Sequence, residues 1–80
     1  MSTLSPRILV VDDEAHLREL LEITLIKMGL DVDSAATLEQ ARALLLKQTY
    51  SLVLTDMRLP DGSGMDLVQE LGGTGKAVPI

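Results

Sequence analysis

The chain has 80 residues, which is enough for one small domain and leaves little room for a second core. Apolar residues make up 46% of it and charged residues 24%, a balance that allows a packed core and excludes a disordered tail. Cysteine is absent, which excludes disulfide frameworks and thiolate metal sites. The formal charge is −5 and Tyr50 is the only aromatic residue, so we expect no nucleic acid binding by this segment.

No stretch of the sequence has the length and apolarity of a membrane span, and the start lacks the basic residues of a secretory leader. Residues 1–6 are expected to be a disordered extension, and residues 7–80 to form the domain. The absence of cysteine is compatible with a reducing compartment, so the cytoplasm is the expected location. A membrane is not an expected partner.

Short apolar runs alternate with longer periodic segments, a pattern typical of parallel strands joined by crossover helices. The unbroken aliphatic run over residues 7–11 predicts a first strand that is covered on both faces. Apolar residues spaced by three or four then predict a helix over about residues 14–28, which ends at Gly29. The face of that helix marked by this spacing comprises Leu17, Leu20, Leu21, Thr24, Leu25 and Met28.

The next segments repeat the alternation. A second strand is predicted over residues 31–35. Thr37 and Gln40 have the spacing of a capping box, which opens a second helix that runs to about residue 48. The residues expected to form the buried stripe of that helix are Leu38, Ala41, Leu44 and Leu45.

The third predicted strand, over residues 51–55, leads directly into Asp56. Proline and glycine in residues 59–64 favour a sharp turn after it. The remaining chain is expected to form a third helix over about residues 65–71, a flexible loop over residues 72–76 and the opening of a fourth strand over residues 77–80.

Acidic residues follow two of these strands at the point where each strand ends. Asp12 and Asp13 end the first strand, and Asp56 ends the third. The carboxyl ends of parallel strands border the ligand crevice, so the three carboxylates converge if the two strands are neighbours. Two charges 4 Å apart repel by about 1 to 4 kcal/mol. A cluster of oxygen ligands suits Mg²⁺, and an aspartate beside such an ion can attack a phosphorus centre.

Taken singly, each aspartate is more often a helix cap or a turn residue. The joint placement is much more specific: two aspartates and a glutamate occupy residues 12–14, and Thr-Asp-Met-Arg-Leu-Pro-Asp-Gly occupies residues 55–62. With these runs, and with Pro60 and Gly64 in the second loop, the chain from Arg7 onward resembles the receiver domains of two-component response regulators. The second loop is most similar to the nitrogen-regulation type, activators of sigma-54 promoters.

The resemblance implies roles for individual residues. Asp56 matches the phosphoacceptor, and Asp12 and Asp13 match the acidic pair that holds Mg²⁺. Arg58 matches the position whose main-chain carbonyl also ligates the metal. The implied phosphoryl donor is a sensor histidine kinase, and the implied partner is an output domain, with transcription regulation as the expected output, or a second receiver copy in a homodimer. The expected role is that of a signalling phosphoacceptor and not of an enzyme.

The resemblance also implies an α/β, flavodoxin-like (CheY-like) fold: a doubly wound parallel sheet of order 2-1-3-4-5 with helices on both faces. The hydroxyl residue that ends the fourth strand of the family and the lysine that ends its fifth would both lie beyond Ile80. Lys76 precedes the fourth strand and does not replace that lysine. We therefore expect residues 7–80 to be the N-terminal portion of a receiver, with the C-terminal strands and helices largely missing.

Two other functions remain open. An aspartate-nucleophile, metal-dependent phosphatase of the dehalogenase type also places an aspartate after a strand, but it needs a second aspartate two residues later, where this chain has Arg58. A degenerate or truncated receiver would act only as a protein-interaction module. The intact aspartates argue against that alternative, and labelling by a small phosphodonor in the presence of Mg²⁺ would separate it from a working phosphoacceptor.

Overall fold

The aliphatic runs of the sequence become the strands of a parallel sheet. The computed structural model describes residues 6–71 and the backbone of residues 77–79. The elements, in chain order, are β1 (Arg7–Val11), α1 (Ala15–Lys27), β2 (Asp31–Ala35), α2 (Leu38–Lys47), β3 (Leu52–Thr55), β4 (Arg58–Leu59), β5 (Gly62–Ser63), α3 (Gly64–Glu70) and β6 (Ala77–Pro79). The predicted extension, apart from Pro6, and the predicted loop over residues 72–76 lie outside the described residues.

The main sheet has the order β2-β1-β3-β6, and all of its pairs are parallel. Strand β1 is internal: Ile8 pairs with Val32 on one side and with Leu52 on the other. Val11, the last residue of β1, is level with Ala35 and Thr55. The predicted order 2-1-3, with the next strand outside the third, is therefore confirmed, and the carboxyl ends of β1 and β3 are adjacent.

The core lies mainly on one face of this sheet. Successive side chains of a strand point to opposite faces, so Leu9 and Val11 of β1 share a face, and both are fully buried. Burying a side chain of this size stabilises the fold by about 1.5 to 3 kcal/mol. The buried cluster on that face comprises Leu9, Val11, Ala35, Leu38, Ala41, Tyr50, Val53, Leu59 and Leu67, with Leu44, Leu45 and Leu71 packed against it. The predicted stripe of α2 is thus confirmed.

Helix α1 is less buried than its spacing predicted. It packs against β1 and β2, but none of its residues is buried, and Leu21 and Leu25 are only half-buried. Among the described helices, α2 and α3 contribute to the core on the opposite face, so α1 covers its own face of the sheet without a helical neighbour. The large apolar residues that remain exposed on and just after α1 are Leu17, Leu20, Ile23, Ile26 and Met28.

The helix ends follow the sequence signals with one change. The Thr37 hydroxyl caps α2 by accepting a hydrogen bond from the Gln40 amide at 3.1 Å. The Gln40 side chain accepts from the Ala36 amide at 2.8 Å, one residue before the capping-box position. Gly29 ends α1 with a φ of +87°, a conformation that favours glycine. None of the described helices combines the length and the apolarity needed to cross a membrane.

The turn after β3 contains a small antiparallel hairpin that the sequence did not predict. Strands β4 and β5 pair Arg58 with Ser63 and Leu59 with Gly62. The loop between them consists of Pro60 and a single further residue, Asp61. A sharp turn was expected here, and the structure adds strand pairing on both sides of it.

A polar cluster joins the first three strands near their amino-terminal ends. One carboxylate oxygen of Asp33 accepts hydrogen bonds from the Tyr50 hydroxyl at 2.6 Å and from the Arg7 guanidinium at 3.0 Å. Burial, together with the hydrogen bond to Asp33, raises the pKa of Tyr50 to about 12. Tyr50 therefore stays protonated at neutral pH and acts as a donor.

Candidate functional site

The site is set up by the register of β1 and β3. The ladder between them extends one residue past Val11, because the Asp56 amide donates to the Val11 carbonyl at 2.8 Å. On the other side of β1, the Asp12 amide donates to the Ala35 carbonyl at 3.0 Å. Asp12 and Asp56 therefore leave the sheet side by side at its carboxyl edge, with their main chains fixed by strand-type hydrogen bonds.

The structure brings the three predicted aspartates together. Each of Asp12, Asp13 and Asp56 offers one carboxylate oxygen to a group in which these atoms all lie within 4.8 Å of one another. Their accessibility is graded: Asp12 is 1% exposed, Asp56 is half-buried and Asp13 is exposed. The cluster is thus anchored on one side and open to a ligand on the other.

Asp12 is held from two directions. Its carboxylate accepts a hydrogen bond from the Glu14 amide at 2.8 Å, and its main-chain carbonyl accepts one from the Arg18 guanidinium at 2.6 Å. Arg18 was not among the residues singled out from the sequence. In the sequence, Arg18 is an ordinary basic residue one turn into the first helix. Its contact with Asp12 can be recognised only when α1 is seen to start beside the end of β1.

Asp56 is oriented by the chain that follows it. Its carboxylate accepts a hydrogen bond of 3.3 Å from the Arg58 amide, a local bond of the kind that starts turns after aspartates. Arg58 itself is the first residue of β4, and its side chain is exposed. The predicted role of its main-chain carbonyl as a metal ligand stays a prediction.

Two residues pack tightly around the main chain of Asp56. The fully buried Thr55 donates its hydroxyl to the Asp56 carbonyl at 2.9 Å. Gly64 lies against the same carbonyl, since a β-carbon at position 64 would overlap that oxygen and would come within 2.8 Å of the Thr55 hydroxyl. Gly64 was noted from the sequence as a loop glycine. The φ of Gly64 is not in the positive range, so its backbone conformation does not require glycine. Glycine is required here because the Asp56 carbonyl leaves no space for a side chain.

The chemistry of the donor set limits the metals that this cluster can hold. The three side chains offer carboxylate oxygens and no nitrogen or sulfur, which favours hard cations such as Mg²⁺ over Zn²⁺. Three carboxylates this close together repel one another, and a divalent cation among them would offset that repulsion. The three carboxylates brought together among the described residues are therefore a donor set that fits Mg²⁺.

Comparisons with known proteins agree with this architecture. The sequence model of the family described as "Response regulator receiver domain" matches residues 8–80. The response regulator protein PilR of Pseudomonas aeruginosa is 54% identical over 72 residues, which cover 90% of this chain and 16% of PilR. The chain thus spans a small part of that relative's length.

Solved structures give the same result. The non-phosphorylated HemR receiver domain from Leptospira biflexa superposes with a TM-score of 0.85 at 33% identity, covering 94% of this chain and 63% of that one. The response regulator TrrA from Thermotoga maritima, solved in complex with Mg²⁺-BeF, superposes with a TM-score of 0.80 at 37% identity, covering 92% of this chain and 65% of that one. On the strength of the family match, the PilR identity and the shared CheY-like fold, the chain belongs to the response regulator receiver domain family.

Proposed function

We propose that this chain accepts a phosphoryl group on Asp56 in the presence of Mg²⁺. The observation that carries the proposal is the convergence of Asp12, Asp13 and Asp56 within 4.8 Å at the carboxyl edge of the sheet. Receiver domains act in two-component signalling as phosphoacceptors, and the donor proposed for this one is the phosphohistidine of a sensor histidine kinase.

Each aspartate has a distinct part in this proposal. Asp56 is half-buried, so its carboxylate can reach an incoming group while its main chain stays fixed to the sheet. Asp12 and Asp13, with the main-chain carbonyl of Arg58, would hold the metal. When bound, Mg²⁺ supplies positive charge that balances the negative charge of the phosphoryl oxygens and of the carboxylates.

In the transfer itself, the carboxylate of Asp56 acts as the nucleophile. One of its oxygens forms a bond to phosphorus, and the bond between phosphorus and the donor imidazole nitrogen breaks. The electron pair of that bond stays on the nitrogen, and the ring, which carries a proton on its other nitrogen throughout, leaves as neutral imidazole. Asp12 stays in place during this step, because the Glu14 amide and the Arg18 guanidinium hold its carboxylate and its carbonyl. Fixed groups of this kind lower the cost of reorganisation during transfer.

The phosphorylated form is proposed to act on a second partner. PilR is named a response regulator, and by analogy the partner proposed here is an output domain that regulates transcription in the cytoplasm. A second receiver copy is the other candidate for this role. In either case the chain serves as a switch in a signalling pathway and releases no product of its own.

Chemical labelling tests the proposal. The protein, in the full form that its gene encodes, is incubated with Mg²⁺ and acetyl phosphate, and the phosphoryl group is located by mass spectrometry. The label is expected on Asp56, to require Mg²⁺ and to disappear in Asp56→Asn, because an amide is a poor nucleophile at phosphorus. Asp66→Asn, which changes an exposed aspartate of α3, is the matched control and should be labelled normally. A label on Ser51, Thr55 or Ser63 would contradict the proposal.

A further inference from the structure

The hairpin of β4 and β5 is fastened to the start of α2, and we propose that Asp61, the residue that fastens it, positions the main chain beside Asp56 for Mg²⁺ binding. Asp61 is not part of the acidic cluster, and its carboxylate is hydrogen-bonded to the start of α2, so the role proposed for it is that of a positioning residue. The inference rests on the proposed Mg²⁺-dependent function and concerns a residue outside the predicted site.

The contact uses both oxygens of one carboxylate. One oxygen of Asp61 accepts from the Leu38 amide at 2.8 Å, and the other accepts from the Glu39 amide at 3.0 Å. The first amides of a helix have no partner within the helix, and the helix dipole makes this end favourable for negative charge. These hydrogen bonds lower the pKa of Asp61, and the bond from the Leu38 amide has the largest effect. Asp61 therefore remains a carboxylate at neutral pH.

Asp61 adds to the cap of α2 and does not replace it. The N-cap residue Thr37 satisfies the Gln40 amide at 3.1 Å, which leaves the two preceding amides for Asp61. Thr37 belongs to the segment that enters α2, whereas Asp61 comes from the loop after the phosphoacceptor. Of these two residues that cap α2, only Asp61 therefore comes from the loop that follows Asp56.

A displacement of Asp61 should also move Arg58 in β4, because the hairpin between them is short and well packed. Leu59 is buried in the core and pairs with Gly62, so both arms of the hairpin are held next to the loop. Gly62 also lies on the first residue of α2, since a β-carbon there would come within 2.5 Å of the Leu38 side chain. A shift of Asp61 therefore cannot be absorbed by a flexible segment before it reaches β4.

The other end of the hairpin adjoins Asp56. The Arg58 amide donates to the Asp56 carboxylate at 3.3 Å, and the Met57 carbonyl accepts from the Gly64 amide at 3.1 Å. Arg58 is two residues after the nucleophile and three before Asp61. The main chain that is proposed to ligate the metal is thus fixed at one end by the sheet and at the other by α2.

A second contact joins α2, the helix that receives Asp61, to α3. The guanidinium of Arg42 in α2 donates through its Nε and Nη2 to the carboxylate of Glu70 in α3. Because α3 follows directly from β5, α2 is joined both to the tip of the hairpin and to the helix that leaves it. This arrangement makes α2 a support for the loop as a whole.

Calorimetric titration of Mg²⁺ into the full protein tests the role of Asp61. Asp61→Ala should weaken Mg²⁺ binding roughly tenfold, the lower end of the effect seen for residues that orient metal ligands. Asp61→Asn keeps one acceptor oxygen and should fall between the wild type and Asp61→Ala. Thr37→Ala is the matched control, because it also removes a hydrogen bond from the start of α2 but leaves the hairpin attached. It should change Mg²⁺ affinity less than twofold.

A second measurement uses the unmodified protein. Coupling between two sites is reciprocal, so Mg²⁺ should slow hydrogen exchange at the Leu38 and Glu39 amides in the wild type. The proposal is overturned if Asp61→Ala binds Mg²⁺ as the wild type does, if Thr37→Ala weakens binding equally, or if Mg²⁺ leaves both amides unchanged. Failure of the wild type itself to bind Mg²⁺ would instead overturn the proposed function, and this inference with it.

Discussion

Gly64 lies so close to the main-chain carbonyl of Asp56 that a β-carbon at position 64 would overlap the oxygen. The same β-carbon would crowd the hydroxyl of Thr55, which donates to this carbonyl. Both neighbours are backbone or fully buried groups, so neither can move aside at low cost. The first residue of α3 therefore helps to set the position of the proposed phosphoacceptor.

Gly64→Ala is accordingly expected to displace the chain at Asp56. We expect a loss of about 1 to 3 kcal/mol in the free energy of unfolding from overpacking, together with slower labelling by acetyl phosphate. Urea denaturation and mass spectrometry measure the two effects. Gly29→Ala is the control. Because Gly29 has a φ of +87°, the alanine should cost about 1 to 2 kcal/mol of stability, but the position is remote from Asp56 and labelling should be normal. Normal labelling of Gly64→Ala would contradict this argument.

Asp13→Asn should have opposite effects on stability and on metal binding. Without Mg²⁺, removal of one of three clustered charges relieves repulsion and should raise the free energy of unfolding by about 1 kcal/mol, because Asp13 is exposed and the repulsion is screened. With Mg²⁺, the loss of a charged ligand should weaken binding. Denaturation with and without Mg²⁺, combined with calorimetry, measures both effects. Unchanged Mg²⁺ affinity in this variant would remove Asp13 from the proposed ligand set.

The placement of the acidic cluster could be predicted from the sequence because each part of the reasoning is local. Aliphatic runs mark the strands, and Asp12 and Asp56 directly follow two of them. Only the adjacency of β1 and β3 had to be supplied, and the resemblance to receiver domains supplied it. The fold and the strand order are confirmed on the same basis.

The attachment of the hairpin to α2 could not be predicted. Asp61 and Leu38 are 23 residues apart, and an aspartate between proline and glycine is fully explained by a turn. The contact of Gly64 with Asp56 could not be predicted either, because the turn propensity of glycine already explains a glycine at position 64. Sequence patterns report the local conformation of a residue, whereas these contacts depend on how separate elements meet.

Tyr50→Phe tests the polar cluster at the far end of the sheet. Loss of the hydroxyl leaves Asp33 without one of its donors and should lower the free energy of unfolding at neutral pH by about 1 to 2 kcal/mol. Phosphoacceptance should not change, because this cluster is remote from Asp56. Urea denaturation and acetyl phosphate labelling of the same preparations measure the two properties.

The difference in the free energy of unfolding between the wild type and Tyr50→Phe should change with pH in one direction. The folded-state pKa of Tyr50, about 12, lies above its ordinary value of 10.0. The contribution of the hydroxyl is therefore fully present below pH 10 and is lost as the pH rises from 10 to 12. The stability gap between the wild type and Tyr50→Phe should narrow over that interval. A gap that stays constant up to pH 12 would show that the hydroxyl is not held in its protonated form.

The exposed face of α1 leads to a prediction about association. Leu17, Leu20, Ile23 and Ile26 are between 38% and 60% exposed. Each is three residues from the next, so neighbouring members lie side by side and form a band that winds around the exposed part of the helix. Contiguous apolar surface of this kind tends to be covered by another protein surface. The 80-residue chain, prepared alone, is therefore expected to self-associate, with a mass by light scattering above its monomer value of 8.6 kDa.

Substitutions on two helices decide whether α1 is responsible. Leu20→Lys combined with Ile26→Lys places charge on the exposed face and should shift the chain toward the monomer with little loss of stability, since neither side chain belongs to the core. Leu46→Lys is the matched control, because Leu46 is 89% exposed but lies on α2. It should leave the mass unchanged. A chain that is already a stable monomer would contradict the expectation, and an equal effect of Leu46→Lys would assign the association to a different surface.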